Sequence, residues 1–288
     1  MPTSRLLPAL ALTVNAFTWG VSWWPFRQLE AAGLHALWAT VLIYALAVVA
    51  ITAWRPGSWR QLFGTPTLWV LVLASGTTNA TFNWALTLGD VVRVVLLFYL
   101  MPLWAVLLAR VLLGERITRA AALRVALALA GAMVVLWPEG GGLPWPRTLA
   151  DALGIVGGFT FALNNVMLRR EAHRPEAARS LAMFFGGAAV AGVLALALGD
   201  RVPAPPPAAP GWIAGAVAMG CAFLAGNLAL QYGAARLPAN VTAVVMVSEI
   251  LFASVSAVLL GAGHVTPGLL LGGGLIVAAS LLASLERA

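Results

Sequence analysis

An amide, a hydroxyl group and two indole rings recur on one face of the first long apolar segment. Asn15, Trp19, Ser22 and Trp23 are spaced i, i+4, i+7 and i+8, which places them on one side of an α-helix. The rings offer apolar area and cation–π contact, while the polar groups can orient a carboxylate or an amine. We therefore predict that this face binds a small amphipathic molecule. For Trp23, a place in the aromatic belt at a membrane surface is the alternative.

Polar residues at similar spacing recur in three later apolar segments. Inside a membrane span they are costly unless they face a partner or a water-filled cavity. We predict that they line one cavity with the first helix, and hydrogen bonding between helices is the alternative. These residues are Asn79 and Asn83, Thr160 and Asn164, and Asn227 and Gln231.

Two further candidate regions lie in the middle of apolar runs. Pro102 removes a helical hydrogen bond, so it predicts a kink that also frees a carbonyl toward a cavity, and nearby Tyr99 adds a ring and a hydroxyl group. Glu249, beside Ser248, is the only acid near the centre of a predicted span. We predict that Glu249 exchanges protons or meets a substrate amine, and a structural carboxyl group is the alternative.

The segments that carry these residues are too apolar for a protein surrounded by water. Of the 288 residues, 61% are hydrophobic and 9% are charged, whereas about a quarter of a soluble domain is charged. A membrane-spanning helix takes roughly 20 apolar residues, and ten segments meet that length. We therefore predict an all-α membrane protein of ten transmembrane helices. The predicted spans are 5–26, 34–54, 66–88, 91–113, 119–137, 149–169, 178–198, 211–234, 238–260 and 267–285.

The basic residues predict the orientation in the membrane. All 17 are arginines, and they lie in the short gaps between apolar runs. With a cytoplasmic N-terminus, the outer side receives only Arg27, Arg93, Arg147 and Arg201, as the positive-inside rule requires. We expect a multi-pass protein of the cell inner membrane with both termini cytoplasmic, and no nucleic-acid partner.

The two halves of the chain can be laid over each other. Five spans are an odd number, so the second half enters the membrane from the opposite side. This predicts two inverted five-helix repeats, 1–140 and 141–288, with the substrate site between them and alternating access. A duplicated scaffold without transport is the alternative. The collinear matches pair Phe17-Thr18-Trp19 with Phe159-Thr160-Phe161, the segment 83–89 with 227–233, and 111–114 with 258–261.

Short motifs in both halves can be compared with a known family. Trp19-Gly20-Val21-Ser22, and Met101-Pro102 followed by Leu113-Gly114-Glu115-Arg116, resemble the drug/metabolite transporter superfamily, in particular its ten-helix EamA-type members. The resemblance implies export of small metabolites, often amino acids, and the aromatic-rich first helix is similar to bacterial exporters of aromatic amino acids. The second half departs from the family pattern at Gly261-Ala262-Gly263 and at Glu249-Ile250.

Other classes of function find less support. The chain has no H-E-x-x-H, G-x-S-x-G or P-loop motif, and its three histidines fall in predicted loops, so we expect no enzyme, cofactor or metal. The expected partners are a small-molecule solute and lipid, with the chain a monomer or a homodimer. A multidrug or other metabolite carrier and a passive facilitator of the same fold remain open. Asp90 and Arg93, spaced i, i+3 at a helix end, are predicted to pair with each other.

Overall fold

The described residues fold into α-helices joined by short loops. The computed structural model describes residues 3–114, 118–137, 145–234, 236 and 239–285, and in this part of the chain no strand is present. A short 3₁₀ turn covers Gly199–Arg201. The α-helices are α1 (Thr3–Val21), α2 (Trp23–Ala31), α3 (Ala36–Trp54), α4 (Ser58–Phe63), α5 (Pro66–Leu88), α6 (Val91–Phe98), α7 (Met101–Leu112), α8 (Arg119–Leu136), α9 (Leu149–Arg170), α10 (Glu176–Ala197), α11 (Pro210–Ala234), α12 (Ala239–Leu259) and α13 (Pro267–Leu285).

Helices occupy all ten predicted segments, and two of these segments are interrupted. The first divides into α1 and α2 at Ser22, whose hydroxyl group donates to the carbonyl of Trp19 at 2.8 Å. The fourth divides into α6 and α7 at Tyr99 and Leu100, close to the kink that Pro102 predicts. Pro102 is the second residue of α7, where its missing N–H group costs no helical hydrogen bond.

Six of the described helical segments are long and apolar enough to cross a membrane. Two shorter apolar helices cover Ser248–Leu259 and Pro267–Ala279. The fold is therefore all-helical and consistent with a membrane protein, while the ten-span inverted repeat stays a prediction. The motif residues Glu115 and Arg116 and the predicted boundary between repeats at residue 140 lie outside the described residues. The six segments are Leu6–Ala31, Ala36–Trp54, Val91–Leu112, Leu149–Arg170, Glu176–Ala197 and Pro210–Leu230.

The helices pack mainly against partners from the other half of the sequence. Helix α5 packs on α9 and α10, and α1 packs on α11 and α12. Helix α9 also packs on α6 and α7, α3 packs on α10, and α8 packs on α13. This interleaving brings the middle of α1, α3, α5, α9, α11 and α12 together at the centre of the molecule.

Glycine allows a close approach of helices α8 and α13. A Cβ atom on Gly131 of α8 would lie 2.6 Å from the carbonyl oxygen of Gly272 of α13, and one on Gly272 would lie 2.7 Å from the carbonyl oxygen of Gly131. Neither residue has room for a side chain, which is how small residues permit tight packing of membrane helices. The α8–α13 pair is therefore held at backbone contact.

The bundle has two ends, which we name after their arginines. Helix α3 runs from His35 to Arg55, a rise of about 28 Å for an α-helix of its length. Arg93 lies at the same end as His35, because α5 returns along α3 before α6 begins. We call this the Arg93 end and the opposite one the Arg55 end.

Candidate functional site

A central cavity of about 130 Å³ lies where helices from both halves of the chain meet. Its wall combines amides and hydroxyl groups with many aromatic rings and one carboxyl group. Such a mixture suits a small molecule with an apolar body and a few polar groups. The cavity is lined by Asn15, Trp19, Tyr44, Ser75, Thr78, Asn79, Phe82, Phe98, Phe161, Asn164, Met183, Phe184, Phe223, Asn227, Leu230, Met246 and Glu249.

Helix α1 contributes the two residues that the sequence favoured most. Asn15 is 1% exposed, and its amide nitrogen lies 3.6 Å from the sulfur of Met246. Its Oδ1 atom is buried without a hydrogen-bond partner in the described structure. The indole of Trp19 stacks on the ring of Phe223 from α11, with centroids 4.4 Å apart. One face of α1 therefore lines the cavity with an amide and an indole, while solute binding by these residues stays a prediction.

Helix α5 holds Asn79 in a fixed orientation. The Asn79 amide nitrogen donates to the carbonyl of Ser75 at 2.8 Å, and its Oδ1 atom accepts from the hydroxyl group of Tyr44. One residue earlier, the hydroxyl oxygens of Thr78 and Thr160 lie 2.9 Å apart, joining α5 to α9. These bonds satisfy most of the polar atoms that α5 presents to the cavity. They therefore fix the orientation of the α5 side chains and leave few of their polar atoms available to a solute.

The second half contributes amides from α9 and α11. Asn164 is 2% exposed, its amide nitrogen lies 3.4 Å from the Oδ1 atom of Asn165, and its own Oδ1 atom has no partner in the described structure. Asn227 lines the cavity from α11. Gln231 lies one turn further along α11, and its side chain is outside the described part of the structure.

A carboxyl group completes the wall on α12. Tyr99, which is 2% exposed at the break between α6 and α7, donates its hydroxyl group to the Oε2 atom of Glu249 at 3.1 Å. Glu249 is the only acidic residue among the described residues that line the cavity. No group of three or more potential metal ligands occurs within the described ranges. The site therefore offers one carboxyl group in aromatic surroundings.

Several predicted site residues lie outside the cavity lining. Ser22 is buried and bonds within its own chain turn, and the indole nitrogen of Trp23 donates to the hydroxyl group of Ser256 at 2.9 Å. Asn83 is fully buried and donates to the hydroxyl group of Thr40 at 3.0 Å. Ser248 donates to the carbonyl of Val245 at 2.6 Å. Thr160 and Tyr99 do not line the cavity themselves, but each is hydrogen-bonded to a residue that does, Thr78 and Glu249. The side chain of Pro102 lies outside the described part of the structure.

The structure adds lining residues that were not predicted. Tyr44, Ser75 and Thr78 are polar and lie inside predicted spans, so the rule that found Asn79 would also have found them. Phe184 and Phe223 carry no such signal, because a phenylalanine that faces a cavity and one that faces lipid look alike in a sequence. Half of the wall therefore depends on which helix faces meet.

A second and larger cavity, of about 860 Å³, opens at the Arg55 end. It lies between the end of α3, α4 and the first turns of α10. Its polar lining includes Arg55, Gln61 and Glu176. Phe184 and Asn227 line both cavities. These two residues therefore separate the central cavity from the space at the Arg55 end.

The Arg93 end is tied together by charged side chains. Arg93 donates to both carboxylate oxygens of Asp151 on α9, at 2.7 and 3.1 Å, and also to the carbonyl of Val135 on α8. The predicted pairing of the Arg93 and Asp90 side chains is therefore wrong. Asp90 instead caps α6 through the backbone nitrogen of Arg93 and accepts from the backbone nitrogen of His264 at 2.8 Å. An N-cap carboxylate is held near its own helix, which leaves the arginine side chain free to reach a distant partner.

The first half of the chain matches a known family. Residues 6–137 match the model of the EamA-like transporter family. Over 170 residues the chain is 32% identical to the uncharacterized transporter PA0485 of Pseudomonas aeruginosa, covering 54% of this chain and 55% of that protein.

Two further comparisons extend this result. The chain is 32% identical over 121 residues to the chloramphenicol-sensitive protein RarD of Pseudomonas aeruginosa, covering 39% of this chain and 40% of that protein. The matches thus span about half the length of these curated relatives. A crystal structure described without a function has the same fold, with a TM-score of 0.59 at 19% identity over 97% of this chain and 96% of that one. Together these comparisons show that the first half of the chain is similar to the EamA-like transporter family and that the whole chain shares its fold with a solved structure.

Proposed function

We propose that the whole chain is an EamA-like carrier that exports small amphipathic metabolites by alternating access, with aromatic or branched amino acids as its main solutes. The observation that carries the proposal is the central cavity, lined from both halves by amides, aromatic rings and one carboxyl group. An aromatic or branched side chain would fill the apolar wall, and its amino end would reach the polar groups.

The helix packing supports two inverted repeats of five spans, 1–140 and 141–288. In that arrangement α1–α2 corresponds to α9, α3 to α10, α5 to α11, α6–α7 to α12, and α8 to α13. A two-fold axis then exchanges the α5–α9 contact with the α11–α1 contact, and the α9 contacts with α6 and α7 become the α1–α12 contact. The α3–α10 and α8–α13 pairs map onto themselves. The family match over residues 6–137 is also close to one repeat.

The two cavities support alternating access. The space at the Arg55 end reaches Phe184 and Asn227, which also line the central cavity, while ion pairs and hydrogen bonds tie the Arg93 end. In the proposed topology both termini are cytoplasmic in the inner membrane, so the open end faces the cytoplasm. A solute would load there and leave after the Arg93 end opens, with the chain working as a monomer or as a homodimer.

Glu249 is the proposed site of proton coupling. It is the acidic group of the described cavity lining, and its partner is the neutral hydroxyl group of Tyr99 rather than a cation. A proton on Glu249 and a bound solute amine would exclude each other, which would couple export of one to import of the other. A passive facilitator of the same fold would lack this exchange.

A drug or other metabolite carrier is the second candidate. One relative is named a chloramphenicol-sensitive protein, which favours testing that compound beside the amino acids. The same cavity would serve either class, since its aromatic wall recognises an apolar ring more than a particular backbone.

Transport by purified protein in liposomes tests the proposal. Efflux of labelled phenylalanine, leucine and chloramphenicol is measured with and without a pH gradient. We expect Trp19→Ala and Asn15→Ala to lower efflux by about tenfold, because each removes a group in direct reach of the solute. Trp24→Ala is the matched control, since this neighbouring indole is 48% exposed and does not line the cavity.

The possible results separate the alternatives. Unchanged transport of every accepted solute in Trp19→Ala and Asn15→Ala would show that the central cavity is not the substrate site. Full gradient-driven transport by Glu249→Gln would rule out proton coupling through Glu249. Transport that ignores the gradient in the wild type would identify a facilitator.

A further inference from the structure

Two residues of the cavity wall carry a buried acceptor without a donor in the described structure. The Oδ1 atoms of Asn15 and Asn164 are buried, and neither has a partner within the described structure. Both residues line the cavity, one from each half of the chain, and Glu249 adds a carboxyl group. A buried acceptor without a donor costs about 1–3 kcal/mol, so a ligand that brings N–H groups would relieve this cost.

The donors of the cavity wall are mostly taken up by the protein. The Asn79 amide donates to Ser75, and the hydroxyl groups of Tyr44 and Tyr99 donate to Asn79 and Glu249. No arginine, lysine or histidine occurs among the described lining residues. A solute carboxylate would therefore enter beside Glu249 without a counter-charge, and burying an unpaired charge is costly.

The aromatic wall favours the same type of ligand. Phe98 packs on Phe82 with ring centroids 4.4 Å apart and on Phe161 at 5.3 Å, and Trp19 stacks on Phe223. Aromatic faces attract organic cations and also offer area to an apolar body. Rings, unpaired acceptors and a single carboxyl group together form a site for a cation with an apolar body.

From this arrangement we infer that the cavity prefers a protonated primary amine with an aromatic body to the amino acid of the same body, with the ammonium group at Glu249. The inference rests on the proposed function and ranks two kinds of solute within its class of small amphipathic metabolites, placing the amine above the amino acid. The ammonium group can donate three hydrogen bonds, and Glu249 is the charged acceptor of the described lining. The amino acid adds a carboxylate for which the described lining holds no cation.

Three probes with one body and different head groups test this inference. They are phenethylamine, phenylalanine and 3-phenylpropionate, which are cationic, zwitterionic and anionic at neutral pH. Binding to the purified full-length protein is measured by calorimetry, since the neutral form of an amine crosses bilayers without a carrier. We expect phenethylamine to bind about tenfold or more tightly than phenylalanine, with 3-phenylpropionate weakest, because charge-assisted hydrogen bonds are the strong ones.

Variants of Glu249 connect the preference to the carboxyl group. Glu249→Gln should weaken phenethylamine binding about tenfold or more and change 3-phenylpropionate binding far less, while Glu249→Asp should restore part of the preference. Asp200→Asn is the control, since Asp200 is exposed in the 3₁₀ turn Gly199–Arg201 and does not line the cavity. A melting curve for each variant shows whether it is folded.

The outcome separates this inference from the function on which it rests. If phenylalanine binds as tightly as phenethylamine and is transported in liposomes, the amine preference is wrong and the transport proposal stands. If Glu249→Gln is folded and keeps the full preference, Glu249 is not the ammonium site. If none of the three probes binds and none of the labelled solutes is transported, both proposals fail.

Discussion

The described ion pairs at the two ends of the bundle join different parts of the fold. At the Arg93 end they join helices that are distant in sequence, because Arg93 binds Asp151 and Val135, and Asp90 binds the backbone of His264. At the Arg55 end the Arg174–Glu171 pair, at 3.4 Å, lies within one loop, and an 860 Å³ cavity opens beside it.

The Arg93 end has a further tie between distant segments. The backbone of Val91 also donates to the carbonyl of Ala262 at 3.2 Å, so α6 and the loop before α13 are joined at two points. The ties at the Arg93 end would resist separation of the two predicted repeats there. In the proposed alternating access, they are the contacts that have to break.

The largest expected effect comes from breaking the tie between Arg93 and Asp151. Asp151 is 2% exposed and Arg93 is 27% exposed, so Asp151→Asn leaves a half-buried guanidinium group without its charge partner. Loss of one partner of a buried pair costs about 3–5 kcal/mol, and the partial exposure of Arg93 reduces this to about 2–4 kcal/mol. The loss in the free energy of unfolding is measured as a lower melting temperature of the protein in detergent.

Glu171→Gln is the matched control at the Arg55 end. It neutralises an equally buried carboxylate, with 4% exposure, whose partner Arg174 is 42% exposed. Surface-type pairs within one turn contribute about 1 kcal/mol or less. Equal losses of stability in Asp151→Asn and Glu171→Gln would show that the two ends do not differ in this way.

Access of a water-soluble thiol reagent gives the next largest expected effect. In a Cys221→Ser background, which removes the single and exposed natural cysteine, Ser180→Cys lies in the large cavity and Ala150→Cys is buried at the Arg93 end. We expect Ser180→Cys to react at least about tenfold faster, because an opening that costs about 1.4 kcal/mol lowers the reactive fraction tenfold.

Adding Asp151→Asn sharpens this comparison. If the Arg93–Asp151 tie keeps the end closed, Asp151→Asn raises the labelling rate of Ala150→Cys and leaves that of Ser180→Cys unchanged or lower. Labelling of Ala150→Cys at the rate of Ser180→Cys in the otherwise natural sequence would contradict the closed state of the Arg93 end.

The positions of the helices could be predicted from the sequence more fully than the contacts between them. The α-helices were predictable because long apolar runs end at turn residues, and the predicted span 66–88 coincides with α5. The break at Ser22 was not predicted, since a serine that bonds to its own turn and one that faces a cavity have the same pattern. Spacing placed Asn15 and Trp19 on one helix face, and it also placed Trp23 there.

Contacts between distant segments were beyond the sequence. Asp90 is the nearest acid to Arg93 along the chain, yet Arg93 reaches Asp151 on α9. Trp23 was on the predicted face, but its indole reaches Ser256 of α12 instead of the cavity. Local spacing determines which residues share a helix face, and only the packing of helices determines what that face meets.

The smallest expected effect concerns pH at the Arg93 end. The Nδ1 atom of His35 accepts from the backbone nitrogen of Leu37 at 3.2 Å and so caps α3, which requires a neutral ring. Burial lowers the pKa of His35 below its usual value, against a weaker opposing effect of Glu30. The unfolded chain therefore takes up the proton first, and the stability present above about pH 6.5 decreases as the pH falls below it.

A variant that caps without titrating isolates this contribution. His35→Asn keeps a side-chain acceptor at the start of α3 at every pH, since asparagine is a preferred N-cap residue. Between pH 7.5 and 5.5 we expect the wild type to lose about 0.5 kcal/mol more stability than His35→Asn, after allowance for screening at a half-buried site. Melting temperatures of both proteins at both pH values measure this difference, in which all other titrating groups cancel. A wild type that loses no more stability than His35→Asn would show that the neutral ring of His35 does not stabilise the start of α3.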